Sequence, residues 1–193
     1  RKLRAGSPVL DDPLLQAWAE DLGYRLAFHA GMPQPDLQIV LIPDRRINAF
    51  AVPGGIIGIN AGLFLYAENE SEFAAVLAHE LAHVQQRHYA RSVAASSQDQ
   101  WLYLGALLAS IALAAGSGGD AGMALGATAQ AAMIQQQLAY SRLHEREADR
   151  IGMQTLTTAG YSPMAMPEFF GRLERESRQV GFMPEFLLTH PLT

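Results

Sequence analysis

Apolar positions recur at helical spacing behind Asp12-Pro13, where Leu15, Trp18 and Leu22 share one face and the Asp-Pro pair supplies an N-cap and a preset first turn. This predicts a helix to about Gly31. Three short β-rich runs follow at 37–42, 47–52 and 56–59, broken by Pro43-Asp44 and Pro53-Gly54-Gly55, and predict a small three-stranded sheet with tight turns. Residues 60–67 read as a short helix. Asn69 with Glu72 three positions on resembles a capping box, opening a longer helix to about Ala90 with Phe73, Val76, Leu77, Leu81 and Val84 as its core stripe. Residues 96–138 are rich in Ala, Gly, Gln and Leu and are interrupted by Gly116-Ser117-Gly118-Gly119-Asp120, which predicts a helical hairpin over 96–137 with a mobile tip. A helix from Tyr140 to about Thr158 stops at Gly160, and Ser162-Pro163 opens a last helix ending near Gln179. Pro167 is expected to bend that helix near its start. The order describes a mainly helical α+β domain with its helices on one side of a small sheet, and residues 1–193 read as a single domain without internal repeat.

Composition narrows the classes. With 49% hydrophobic and 17% charged residues and a net charge of only -5, the chain can bury a core and is not of the disordered type. Its 14 basic residues are scattered, leaving no electrostatic footprint for nucleic acid. Without cysteine, any metal must sit on His, Asp or Glu, and the compartment stays open. The chain opens at Arg1 with no signal-peptide layout nearby, which is compatible with a leader already removed. The most apolar run, 101–115, contains Gly105 and Ser110 and falls short of the roughly 20 residues a spanning helix needs. No transmembrane segment is expected.

The informative string is His79-Glu80-Leu81-Ala82-His83, in the middle of a predicted helix. Histidines at i and i+4 stand one above the other, so both imidazoles reach a single Zn²⁺ ion while Glu80, about 100° round, leans toward the water such a site activates. Zinc hydrolases need this arrangement, with Glu80 as the base that takes the water's proton and passes it to the leaving amine. A third ligand is required. The metzincin pattern is excluded because positions 86 and 89 are Gln and Tyr, and a Glu at thermolysin-like spacing is excluded because residues 92–133 contain none. Glu145 and Asp149, at i and i+4 on a later helix, are the candidates: Glu145 to ligate and Asp149 to hold a ligand's other ring N–H. Gly152 on the same face lets that helix approach another closely. Glu147 points to a different face and reads as a solvated charge, and His88, five residues beyond His83, as a surface or capping histidine.

His79-Glu80-x-x-His83 followed by Glu145-x-x-x-Asp149, with Asn48-Ala49-Phe50 and Gly54-Gly55 upstream and Gly62-Leu63 between, resembles the gluzincin metallopeptidases of the HtpX and CAAX prenyl protease type. Lacking spanning helices, the chain is most similar to the soluble periplasmic branch. The resemblance implies a zincin-like fold and a Gram-negative periplasmic endopeptidase, soluble or peripheral to the outer membrane, that removes stalled or misfolded outer-membrane proteins. It implies one zinc per chain on His79, His83 and Glu145, Glu80 as catalytic base and Asp149 orienting a ligand. Relatives of this branch continue into a tetratricopeptide-repeat domain and carry an active-site Arg beyond a His-Pro pair; here Thr193 follows two residues after His190-Pro191, so the sequence reads as the protease domain alone, and contact with the outer-membrane assembly machinery would run through the missing C-terminal region. The resemblance further implies that His190 is an inhibitory extra zinc ligand, with 96–137 as a lid; the competing reading makes it a solvated tail histidine.

For substrate, Asn48-Ala49-Phe50 and the residues after it are expected either to form an exposed edge strand that pairs with an extended peptide, which suits unfolded polypeptides, or to be an inner strand packed under the zinc helix. A reading from another class is a chaperone or interaction module that holds clients on apolar surface around Trp101, Leu104 and Leu107 while its zinc site stays closed.

Overall fold

The structure, a computed structural model, describes residues 10–32, 36–94, 141–181 and 183–190. The predicted hairpin over 96–137, with Trp101, Leu104 and Leu107, lies outside these residues. The chain divides into two compact units, Arg1–His88 with Glu145–Thr193, and Tyr89–His144; the sheet and the hydrophobic core belong to the first.

Helix α1, Pro13–His29, starts where Asp12 Oδ1 accepts from the backbone N–H groups of Leu14 and Leu15 at 3.1 and 3.0 Å, satisfying donors that a helix start leaves orphaned. It buries Ala19, Leu22, Gly23, Leu26 and Ala27. The strands are β1 Gln38–Ile42, β2 Ala49–Val52 and β3 Ile56–Asn60, ordered β1-β3-β2, with β1 parallel and β2 antiparallel to β3. Gly54 and Gly55 turn the chain between β2 and β3 at φ +93° and +74°, and a Cβ on Gly55 would stand 1.8 Å from the carbonyl oxygen of Asp36, so only glycine fits there. Short α2, Ala61–Tyr66, leads to α3, Glu70–Gln85, whose N-cap Asn69 accepts from the Glu72 N–H at 3.1 Å.

Helix α3 is the centre of the unit. Every residue from Glu72 to Ala82 is buried, so its core face is not the predicted stripe but the whole circumference. The alanines at 74, 75, 78 and 82 keep it slim enough for α1, β2 and α6 to pack against it at once. It also ends earlier than predicted. Gln85 is its last residue, Arg87 takes a left-handed φ of 51°, and a new helix, α4, covers 88–94 among the described residues.

Residues 141–158 form α5, which stops before Gly160 at φ +83° as the sequence predicts. Helix α6, Ala165–Val180, begins two residues after Pro163, because Ser162 and Pro163 are spent in the preceding turn. Pro167 falls in its first turn, where a backbone N–H has no intrahelical partner, so the ring displaces no hydrogen bond and the expected bend has no cause. A short helix not foreseen, α7 Glu185–Thr189, follows. No helix among the described residues is long and apolar enough to cross a membrane.

Candidate metal centre

Two helices and a terminal segment deliver the site. His79 and His83, one turn apart on α3, face Glu145 on α5, and His190 enters from the end of α7. Gly152 makes the approach of α5 possible: a Cβ there would lie 2.7 Å from Met166 Cε and 3.3 Å from the backbone nitrogen of His79. The close passage expected from its i+7 placement is what the structure has.

One ligand-capable atom from each of the four residues lies within 4.8 Å of every other. His79 Nε2 is 3.1 Å from His83 Nε2, 3.2 Å from His190 Nδ1 and 3.2 Å from Glu145 Oε2. Glu145 Oε2 is 3.0 Å from His190 Nδ1, and its Oε1 is 3.6 Å from His83 Nε2. Hydrogen bonds do not account for this. The other nitrogen of His79, Nδ1, lies 3.0 Å from Asp149 Oδ1, and even a doubly protonated ring has a single Nε2–H for three neighbours, two of them ring nitrogens. A shared cation does account for it. Ligands about 2.0–2.1 Å from a tetrahedral zinc are separated by edges of about 3.3–3.4 Å, close to the spacings here.

The electrostatics point the same way. Burial disfavours the His79 imidazolium, yet the carboxylates of Asp149 and Glu145 outweigh it and hold its pKa up to about 10. Burial likewise pushes Glu145 up, but the rings of His190, His79 and His83 hold its carboxyl far below the usual range. This pocket draws positive charge onto its nitrogens and keeps its carboxylate ionised, which is what a divalent cation would find favourable. Glu80 is 0% exposed, and neither carboxylate oxygen has an aligned hydrogen-bond partner; His190 Nε2 stands 3.3 Å from Oε1 at ion-pair distance only. A fully buried carboxylate left in this state costs free energy unless something occupies the space it faces.

Of the residues singled out from sequence, His79, Glu80, His83, Glu145, Asp149 and His190 thus come together. His190 is no solvated tail: its ring stacks on Phe186, centroids 4.6 Å apart, and Phe186 in turn stacks on Phe170. Asn48, Ala49 and Phe50 are not among the four clustered residues: Ala49 and Phe50 belong to β2, which lies at the edge of the sheet order and packs against α3, and Asn48 precedes it. Phe50 lays its ring over Gly58 across the strand pair, and Asn48 is buried with its backbone oxygen accepting from Asn60 N–H at 3.0 Å.

Two expectations were wrong. His88 is not a surface group but 3% exposed, with Nδ1 2.9 Å from His83 Nδ1, and Glu147 is not a solvated charge but lies with Oε2 3.0 Å from His88 Nε2. The helical-wheel argument assumed an unbroken α3, and nothing in Gln86-Arg87 announces the break; a glycine at the left-handed position would have.

The chain matches the model of peptidase family M48 over residues 13–193. It is 41% identical over its whole length to the beta-barrel assembly-enhancing protease of Escherichia coli (strain K12), and 42% to that of Yersinia pestis, covering 39% of each protein. It is 30% identical over 86% of its length to a mitochondrial metalloendopeptidase of Schizosaccharomyces pombe, covering 46% of that protein. The chain therefore spans about two fifths of the length of the assembly-enhancing proteases it matches. With the site's geometry and these matches together, the chain belongs to peptidase family M48, as a metalloprotease domain of that family.

Proposed function

We propose that this domain is a zinc-dependent endopeptidase acting on unfolded or misfolded polypeptide. The observation that carries the reading is the convergence of His79, His83, Glu145 and His190 beside the buried carboxylate of Glu80. His79, His83 and Glu145 would hold the metal, one per chain, with Asp149 fixing His79 in the tautomer that offers Nε2. A donor set of imidazoles and one carboxylate suits zinc. When bound, the ion supplies Lewis acidity, lowering the pKa of water toward 7 and polarising the scissile carbonyl. Glu80 accepts the proton of the attacking water on a carboxylate oxygen and returns it to the leaving amine nitrogen. Its burial shields it from bulk water, so it stays in place for that exchange.

His190 bridges the ligand cluster and Glu80, at 3.2 Å from His79 Nε2 and 3.3 Å from Glu80 Oε1. We read this placement as self-inhibition: with a metal on the cluster, the ring would stand between it and Glu80, where the attacking water would have to enter. For substrate, β2 offers an edge. In its antiparallel pairing with β3, the Asn48–Asn60 bond sets the alternation so that the N–H and C=O groups of Ala49 and Ala51 point away from the sheet. An extended peptide would pair there beside Asn48, Ala49 and Phe50 through its backbone, giving sequence-tolerant recognition. The relatives' name, beta-barrel assembly-enhancing protease, supports clients met during β-barrel assembly; outer-membrane proteins as those clients and the periplasm as the place are our reading of the family resemblance.

The test is casein cleavage by wild type, His190→Ala and Glu80→Gln, each with its zinc content checked by elemental analysis. The expected result is low activity in wild type, higher activity in His190→Ala, and none in Glu80→Gln at equal zinc. Equal cleavage by wild type and His190→Ala refutes self-inhibition. No cleavage by any variant at one zinc per chain, with client protection surviving Glu80→Gln, would replace the protease reading with a holding function.

A further inference from the structure

We propose that His88 and Glu147 form a positioning relay that fixes the tautomer and aim of His83, as Asp149 does for His79; the inference rests on the metal-centre reading above. His83 Nδ1 is 2.9 Å from His88 Nδ1, and His88 Nε2 is 3.0 Å from Glu147 Oε2. With a metal on His83 Nε2, one placement of protons suits all of these contacts. If His83 offers Nε2 to the metal, its proton sits on Nδ1 and is donated to the lone pair of His88 Nδ1; His88 then carries its proton on Nε2 and donates it to Glu147. The reverse placement puts a proton on His83 Nε2, the atom aimed at the cluster. A neutral His88 in that placement also leaves the Glu147 carboxylate facing a lone pair, and an imidazolium His88 keeps both contacts but still leaves the proton on His83 Nε2.

The backbone is shaped for this contact. On an unbroken helix a residue five positions beyond His83 would lie about 140° round the axis, out of reach. The left-handed φ of 51° at Arg87 ends α3 and starts the next helix at His88, turning its ring back until the two centroids are 4.8 Å apart at 79°. His88 is 3% exposed and Glu147 is two residues beyond the ligand Glu145 on α5. One helix thus supplies a ligand to the inner ring of the site and a carboxylate to its outer ring. Hydrogen-bonded outer partners of this kind raise ligand basicity and hold the ring orientation.

The test titrates the metal-free 193-residue chain with zinc in competition with a chelating indicator, for wild type, His88→Leu, His88→Asn, Glu147→Gln and the double variant His88→Leu/Glu147→Gln. Thermal melts of the metal-free proteins check that each is folded. The relay predicts that His88→Leu binds zinc roughly tenfold to a hundredfold more weakly and Glu147→Gln roughly tenfold. His88→Asn, whose Oδ1 can accept from His83 Nδ1–H, should recover most of the loss. In the His88→Leu background, Glu147→Gln should cost nothing more, because its effect passes through His88. Unchanged affinity in His88→Leu, or a Glu147→Gln loss as large with Leu at position 88 as with His, overturns the relay. Should Leu at position 88 prevent folding, loss in Glu147→Gln with retention in His88→Asn supports it, and retention in Glu147→Gln overturns it. Wild type failing to bind zinc at micromolar concentration overturns the metal centre itself, and the relay with it.

Discussion

Arg172→Met should destabilise the domain by an amount that can be worked from the contacts around Glu72. Arg172, on α6, places Nη1 2.6 Å from Glu72 Oε1 and Nη2 2.7 Å from Oε2, a bidentate grip on a side chain only 4% exposed in the first turn of α3. Its guanidinium also lies 4.9 Å from the Tyr66 ring centroid. Removing one partner of a buried pair costs about 3–5 kcal/mol, because the other charge stays buried. Glu72 keeps one bond, accepting from Glu68 N–H at 2.8 Å, which places the loss near the lower end, about 3 kcal/mol. For a domain of this size that is a melting temperature lower by about 6–12 °C. The double variant Arg172→Met/Glu72→Gln removes the stranded charge and should recover about half of the loss. The pH dependence has a definite sign. Arg172 holds the Glu72 carboxyl below the usual carboxylate range, against the opposing effect of burial. The pair's stabilisation is therefore full above the unfolded-state value of about 4.3 and lost as pH falls through the lower folded-state value. Urea denaturation followed by circular dichroism at pH 7 and again near pH 3 is the assay. Wild type and Arg172→Met should differ clearly at pH 7 and converge in acid; a difference below about 1 kcal/mol at pH 7, the size of an exposed ion pair, would refute the reasoning.

Gly152→Val should cost about 1–3 kcal/mol as overpacking and weaken zinc binding as well, because its Cβ would meet Met166 Cε at 2.7 Å and the backbone of His79 at 3.3 Å on the helix that carries Glu145. Gly152→Ala adds the same Cβ without the branches, so the flexible Met166 tip and better helix propensity offset part of the clash and the loss should be clearly smaller than for Val in the same denaturation and zinc titrations. Chelation of the metal should lower the melting temperature: zinc at a hundred times its dissociation constant adds about 2.7 kcal/mol, read by calorimetry as about 5–11 °C, and an unchanged melt would contradict a bound metal. Arg87→Val, forced to hold a β-branched residue at φ 51°, should lose about 1 kcal/mol or more, whereas Arg87→Gly should melt close to wild type.

What could be read from the sequence was whatever depends on neighbours in the chain. Asp12 caps α1, Gly54-Gly55 turns β2 into β3, Gly160 ends α5, and the i,i+4 spacings of His79 with His83 and Glu145 with Asp149 place each pair on one helix face, because helix periodicity is a local property. The strand order β1-β3-β2, the burial of α3 on all sides and the grip of Arg172 on Glu72 depend on residues up to a hundred positions apart. Hydrophobic periodicity does not encode which partner covers the second face of a helix, so α3 read as a stripe. Pro167 misled for the opposite reason: proline's effect depends on where a helix begins, and that start lay two residues later than Ser162-Pro163 indicates.

The errors at His88 and Glu147 have a common physical root. Both positions were judged by their angle on an ideal helix; for His88 that is sound only while α3 continues, and Glu147, on the unbroken α5, meets His88 only because the break turns that ring back. A two-residue interruption, held open by a single left-handed arginine, converts an outward position into one that faces back along the chain. A left-handed conformation at a non-glycine residue carries a cost of about 1–2 kcal/mol, which the surrounding contacts must offset. Here those contacts include His88 on His83 and Glu147 on His88. The strain at Arg87 and the outer support of a candidate ligand are therefore linked: relieving one by letting α3 run on would rotate His88 away from His83 and leave that ring held from only one side.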